Sequence, residues 1–300
     1  FVNVIDKSVE MKRIAALLTV YNRCDTTLRC LRELEKQKLP QGFIVDIYLT
    51  DDGCTDGTPQ RVASEYPHVH IIKGNGNLYW NRGMLKAWEI SANNQHYDYY
   101  LWLNDDTILI PDAVKILLDN SKKVNNKSII VGATSDVKTH SIVTYSGYKG
   151  DKMRIIPNGK LQLCEYFNGN IVLIPQAVYS VVGMNNPSYS HSIGDFDYGL
   201  RAKKNGILSY VSTMIVGYCD RHNAIPIWCN SNYSLKKRWI SFRSPLGAAP
   251  IEYFIFDYRH KGFIKASCRL ITSFIKFIFP RAFNRKSKND PMYFNKKINS

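Results

Sequence analysis

The sequence has no C-x-x-C pair, and its seven cysteines (Cys24, Cys30, Cys54, Cys164, Cys219, Cys229, Cys268) are scattered and odd in number. That pattern argues against a disulfide framework and a zinc ribbon and fits a reducing, cytoplasmic setting. No window approaches the roughly 18 apolar residues of a membrane-spanning helix. The apolar run Ile14–Val20 is too short for a signal peptide and lacks its small-residue cleavage site. There is no internal repeat, no low-complexity linker and no G-x-G-x-x-G after the first strand, so dinucleotide binding is not expected. Acids are scarce at one end only. From Lys236 onward fifteen Lys and Arg stand against three acids, so most of the net charge of +15 belongs to the C-terminus. The basic residues do not coincide with the polar clusters of the first half, and no nucleic-acid partner is expected.

What is present is an ordinary globular composition, 45% hydrophobic and 22% charged over 300 residues. That length suits one large α/β domain with an appendage. Met11-Lys12-Arg13 ahead of an apolar strand reads as a natural start, with residues 1–10 as leader sequence. RIAALLTVYN reads as a buried strand, and CDTTLRCLRELEKQKLP carries Leu28, Leu31 and Leu34 at helical spacing with Pro40 just beyond. FIVDIYLTDDGCTDGT, HVHIIKGNGN and YDYYLWLNDDTIL read as strands; PQRVASEYP, NRGMLKAWEISANN and PDAVKILLDNSKKV read as the helices that follow them. Strand, loop and helix in this repetition predict a parallel or mixed sheet covered by helices. After Ile129 shorter strands and loops take over. Ligands of such sheets gather at the carboxyl ends of the strands, and VYN, TDDGCTDGT, GNGN and LNDDT all fall there.

Each cluster has a chemistry and a plainer alternative. Mg²⁺ commonly takes one or two carboxylates together with substrate phosphates. Asp105 and Asp106 in LNDDT can supply them, or can cap a turn; the company of the other polar strand ends favours the metal. Asp51 and Asp52 can accept hydrogen bonds from a base or ribose, or build an Asx-type turn. Tyr79 and Trp80 offer rings for stacking or for the core. In SIGDFDYGLRAKKNG one carboxylate can act as general base at an acceptor hydroxyl. The other can cap a helix N-terminus. His222, after a strand in GYCDRH, carries ring nitrogens able to bind metal.

Taken in order, LLTVYNR, YLTDDGCTDGT, GNGNLYWNRGM, LWLNDDTIL and GDFDYGLRAKKNG resemble a family 2 glycosyltransferase of the bacterial surface-polysaccharide type, an inverting enzyme using nucleotide-activated sugars. The resemblance implies a GT-A fold: α/β, with a Rossmann-like, mostly parallel mixed sheet flanked by helices. It would occupy residues 11–235, with a nucleotide-sugar half at 11–128 and an acceptor half at 129–235. It implies that Thr19, Tyr21 and Asn22 line the nucleotide pocket and that Asp51 and Asp52 read base and ribose. Gly76, Asn81, Asn104 and Asp105 would complete the nucleotide-sugar site. LNDDT takes the place of the family's D-x-D motif, with Asp106 as metal ligand and Asn104 where many members have the first Asp. Asp195 matches the catalytic base, although Gly194 replaces the usual Glu. His222 falls where several members place a second metal ligand. Trp80, Gly169, Asp197 and Arg201 would face the acceptor. The implied cofactor is a divalent metal, Mn²⁺ or Mg²⁺.

The basic C-terminal extension, 236–300, reads as helical, and FIKASCRLITSFIKFIFPRAF mixes Phe, Ile and Leu with Lys and Arg and has no acid. Such a segment can lie on an anionic membrane surface. It fits a glycan or lipid-linked acceptor and a peripheral site on the cytoplasmic face of the inner membrane. Two other readings compete. A sugar-phosphate nucleotidyltransferase would want a Gly-rich basic loop where this chain has VYNRCDTT. A non-catalytic nucleotide-sugar or glycan-binding relative would not need Asp106, Asp195 and His222 together.

Overall fold

The structure, a computed structural model, describes residues 11–150, 153–221 and 225–281. Its first strand, β1 (Lys12–Val20), shows why the run IAALL reads as doubly buried. Successive strand residues point to opposite faces. Ile14, Ala16, Leu18 and Val20 therefore enter one core, and Ala15 and Leu17 the other. In chain order there follow α1 (Cys24–Glu35), β2 (Phe43–Asp51), α2 (Thr58–Glu65), β3 (His70–Lys73) and α3 (Tyr79–Asn94). Next come β4 (Tyr99–Leu103), β5 (Ile108–Leu109), α4 (Ala113–Lys123) and β6 (Ile129–Ser135).

The second half is built from shorter pieces. They are β7 (Val143–Tyr145), β8 (Gly147–Lys149), β9 (Met153–Arg154), β10 (Gln162–Cys164), β11 (Tyr166–Phe167) and β12 (Ile171–Pro175). After them come α5 (Gln176–Val182), α6 (Gly194–Lys204) and β13 (Ser209–Tyr218). The large sheet runs β10-β13-β6-β12-β4-β1-β2-β3. Its β4-β1-β2-β3 part is wholly parallel. β12 enters antiparallel between β4 and β6, and β13 lies parallel to β6. The helix-covered mixed sheet expected from the sequence is present.

The two faces carry separate cores. Leu28, Leu31 and Leu34 of α1, Val62 of α2 and Val114, Leu117 and Leu118 of α4 cover the first. Met84, Ala87 and Trp88 of α3, Val178 and Val182 of α5, and Tyr198 and Ala202 of α6 cover the second. At its centre Trp88 meets Trp102, Tyr100, Tyr179 and Tyr198 at ring-centroid distances of 5.8, 5.1, 5.6 and 5.7 Å.

Among the described residues the C-terminal part has a 3-10 turn (Ile227–Cys229) and three helices, α7 (Leu235–Arg243), α8 (Pro250–Lys261) and α9 (Phe263–Ile278). α9 buries Ala266 and Phe277, and Arg269 reaches Asp257 of α8 at 2.9 Å. Much of its apolar surface stays outside: Phe263, Ile264, Ile271, Ile278 and the adjoining Phe279 are more than half exposed. Among the described residues no helix is long and apolar enough to cross a membrane.

Candidate active site

β1, β2, β3 and β4 run in the same direction, so the loops after Val20, Asp51, Lys73 and Leu103 meet along one edge of the sheet. The first two are tied together: Asn22, in the left-handed region (φ 51), accepts the Thr55 backbone N–H on its side-chain oxygen at 2.7 Å. Tyr21 beside it is 57% exposed and free to meet a ring. Asp51 accepts the Cys54 N–H at 2.8 Å in an Asx-type turn. Asp52 is buried. Its two oxygens accept the backbone N–H groups of Gly76, Leu78 and Tyr79 at 2.8 to 3.1 Å. Asp52 therefore holds the loop that opens α3, and its carboxylate is committed to that backbone. Gly76 takes a positive φ of 81° to complete the turn. Thr19, at the end of β1, packs against Gly83 so closely that any side chain there would collide with its hydroxyl.

The acid pair sits at the end of β4. Asn104 accepts the Trp80 indole N–H at 2.7 Å, so this side-chain oxygen is already engaged by an aromatic residue of α3. Asp105 is buried and Asp106 more open. One guanidinium spans both: Arg23 Nη1 lies 3.3 Å from Asp105 Oδ1 and 2.9 Å from Asp106 Oδ2. Thr27 donates to the other oxygen of Asp105, and the Cys219 thiol to that of Asp106. Burial drives the Asp105 carboxyl up to about 7 against the pull of Arg23, with Asp106 adding to the rise.

The base candidate is joined to this strand end through the next segment, where the Asn104 N–H donates to the Asn170 carbonyl at 2.9 Å. α6 opens with Ile193 in the left-handed region (φ 64) and Gly194 against Asn81. Asp195 follows in its first turn, with Oδ2 on the Gly169 N–H at 2.9 Å and Oδ1 on the Phe196 N–H at 2.8 Å. Gly169 lets the Trp80 indole approach: a Cβ there would stand 2.5 Å from the ring and 3.3 Å from the Asp195 Cβ. Trp80, Asn104, Gly169 and Asp195 thus form one continuous group. Burial lifts the Asp195 carboxyl to about 6, against the backbone hydrogen bonds that favour its ionised form. That places a carboxylate near the range where a general base works best.

Other expected site residues lie deeper. Asn81 is fully buried; its amide N–H₂ donates to the carbonyls of Asn186 and Tyr189, and its oxygen accepts from Asn185. Asp197, expected at the acceptor, is also fully buried. Its oxygens accept from Arg201 at 2.8 Å, His260 at 2.8 Å and Tyr189 at 3.3 Å. Despite burial, the bonds from His260 and Arg201 hold it below the usual carboxylate range. Arg201 is further fixed by the carbonyls of Val182 and Met184. Glu252 of α8 accepts both the N–H and the hydroxyl of Ser190. α8 is thus bonded along the segment that leads into the base. His222 lies outside the described residues.

Arg23 and His191 were not singled out by the sequence reading. Arg23 stands next to Tyr21-Asn22, but its partners are 82 and 83 residues away. His191 sits four residues before Asp195, edge-on to Tyr79, with Nδ1 buried and without a partner among the described residues. Burial, then the charge of Arg23, lowers it to about 4, so the ring is neutral at physiological pH.

Among the described residues no three His, Cys, Asp or Glu side chains are placed to hold a metal. Asp106 with Asp105 nonetheless suits a hard divalent cation in its donor chemistry. The guanidinium standing against both carboxylates is a cation in that position already.

The Glycosyl transferase family 2 model matches residues 16–181. The chain is similar to a poly-β-1,6-N-acetyl-D-glucosamine synthase of Staphylococcus aureus, 27% identical over 154 residues, 45% of this chain and 34% of that protein. The Staphylococcus epidermidis protein of the same name is 26% identical over 146 residues, with the same coverage. An uncharacterized glycosyltransferase of Rickettsia conorii is 24% identical over 197 residues, 62% of this chain and 29% of that protein. The match thus spans about a third of the length of these curated relatives. Among solved structures, Staphylococcus aureus TarS 1-349 superposes with a TM-score of 0.51 at 13% identity, covering 96% of this chain and 76% of that one, which supports the GT-A fold. With the family model spanning more than half of the 300 residues, the chain belongs to glycosyl transferase family 2.

Proposed function

We propose that the enzyme moves a sugar from a nucleoside-diphosphate sugar to a hydroxyl of a glycan or lipid-linked acceptor, with inversion, in surface-polysaccharide assembly. The observation that carries this reading is Asp195, held by the Gly169 N–H beside Trp80 and Asn104 with its proton affinity raised to about 6. Asp195 takes the acceptor proton as the acceptor oxygen forms its bond to the anomeric carbon. The bond from that carbon to the diphosphate breaks on the opposite face, and its electron pair leaves with the nucleoside diphosphate. Thr19, Tyr21, Asn22 and Asp51 line the nucleotide pocket, with Gly76 shaping its wall. Asn81 and Asp52 hold α3 and its loop, and Asp197 and Arg201 hold α6. Trp80 and Gly169 form the acceptor floor.

Asp106, backed by Asp105, would hold Mn²⁺ or Mg²⁺, with His222 as a further ligand. Such an ion supplies Lewis-acid stabilisation of the departing diphosphate. A screen of nucleotide sugars for nucleoside diphosphate release, with and without Mn²⁺ or Mg²⁺, tests the whole reading. One donor class should turn over, metal-dependently, and Asp106→Ala should lose that dependence. Release by no donor, or an unaltered metal response in Asp106→Ala, would overturn the assignment.

The exposed Phe263, Ile264, Ile271 and Ile278 of α9 stand among Lys265 and Lys276, while Arg269 is paired with Asp257 of α8. This supports peripheral binding to an anionic membrane, where lipid-linked acceptors reside. Removing residues 263–300 should end co-sedimentation with anionic vesicles. Unchanged pelleting would count against the membrane reading.

A further inference from the structure

Arg23 occupies an unusual place for a surface cation. It is the residue preceding α1, in the short loop after β1, and its side chain is 45% exposed, yet it spans two acids more than 80 residues further along the chain. Each acid divides its oxygens in the same way: one faces the guanidinium and the other a neutral donor, Thr27 or Cys219. Among the described residues no other cation forms an ion pair with either acid. Two adjacent carboxylates, one of them buried, are costly to keep ionised without a counter-charge. Arg23 supplies that charge.

The oxygen of Asp106 turned away from the Cys219 thiol is the one that Arg23 holds. A divalent ion bound by Asp106 through this oxygen would meet the guanidinium there, so guanidinium and metal compete for it. The donor's diphosphate would bring a second attraction, since guanidinium forks pair well with phosphate oxygens. Building on the proposed donor and metal, we infer that Arg23 is an exchangeable counter-ion. It offsets part of the charge of the acid pair in the donor-free enzyme and moves to the diphosphate when metal takes the acids. Metal and nucleotide then strengthen each other's binding by the same factor, as linkage requires. Arg23 is a positioning residue for the metal and a contact for the departing diphosphate.

Mn²⁺ binding followed by the electron paramagnetic resonance of the free ion tests this without turnover. It is measured alone and with UDP, GDP or dTDP, on the wild type, Arg23→Gln, Arg23→Lys and Asp106→Ala. In the wild type one nucleotide should raise Mn²⁺ affinity about tenfold or more. Arg23→Gln should bind Mn²⁺ alone about tenfold more tightly and lose most of the nucleotide's effect. Arg23→Lys, whose ammonium lacks the fork, should fall between, and it carries the test if the Gln variant does not fold. Unchanged Mn²⁺ affinity with intact coupling in both variants, while Asp106→Ala no longer binds Mn²⁺, would overturn the exchange and leave the metal site standing. Wild-type Mn²⁺ binding in Asp106→Ala would overturn the metal site and the exchange together.

Discussion

Replacing Asp195 by Asn should cut turnover about a hundred- to ten-thousandfold while leaving nucleotide affinity within a factor of about two, the pattern of a lost general base. The shape is nearly conserved and Asn can still accept the Gly169 N–H on its oxygen, so the segment around 169 and α6 should keep its place. What disappears is the ability to take a proton. In the wild type the carboxyl titrates at about 6, so kcat/KM should rise as pH passes through that value and then level off. The variant should lose that limb. The sign for stability is opposite. A folded-state carboxyl raised from 3.8 to about 6 stabilises the fold while protonated, and that contribution is lost as pH rises towards 6. At pH 7.5 Asp195→Asn should therefore melt at or above the wild-type temperature. Near-normal turnover, or a variant that fails to bind nucleotide, would remove Asp195 from its role.

Trp88→Ala should lower unfolding free energy in urea by about 3–5 kcal/mol, the range for emptying a large aromatic site. The indole is fully buried among Trp102, Tyr100, Tyr179 and Tyr198, so the expected loss is chiefly packing. The rings around it come from β4, α5 and α6, so none can move in without leaving its own element. A cost below about 1 kcal/mol would place this cluster among sites that collapse freely, against the close packing described.

The fold was largely legible in the sequence because its first half depends on local signals. Period-two and 3.6-residue patterns, with polar residues at strand ends, mark each element and the edge where ligands gather. The run IVLIP of β12 is apolar throughout and carries no sign of direction, so its antiparallel insertion between β4 and β6 was invisible. The site was legible as a set of strand ends rather than as a set of contacts. Asp105, Asp106 and Asp195 stood out by type and company. A buried polar hub such as Asn81 or Asp52 looks in sequence like a ligand contact, because the backbone groups it satisfies leave no trace in residue identity. Pairings such as Arg23 with Asp105 and Asp197 with His260 join positions 82 and 63 residues apart, and only tertiary structure brings them together.

The bonds from α8 to Ser190 and Asp197 bear on α9 as well. α9 rests on α8, and α8 rests on the segment leading into Asp195. The exposed side of α9 is therefore mechanically continuous with the segment that carries Asp195, so a constraint placed on that face is passed through α8 to Ser190 and Asp197.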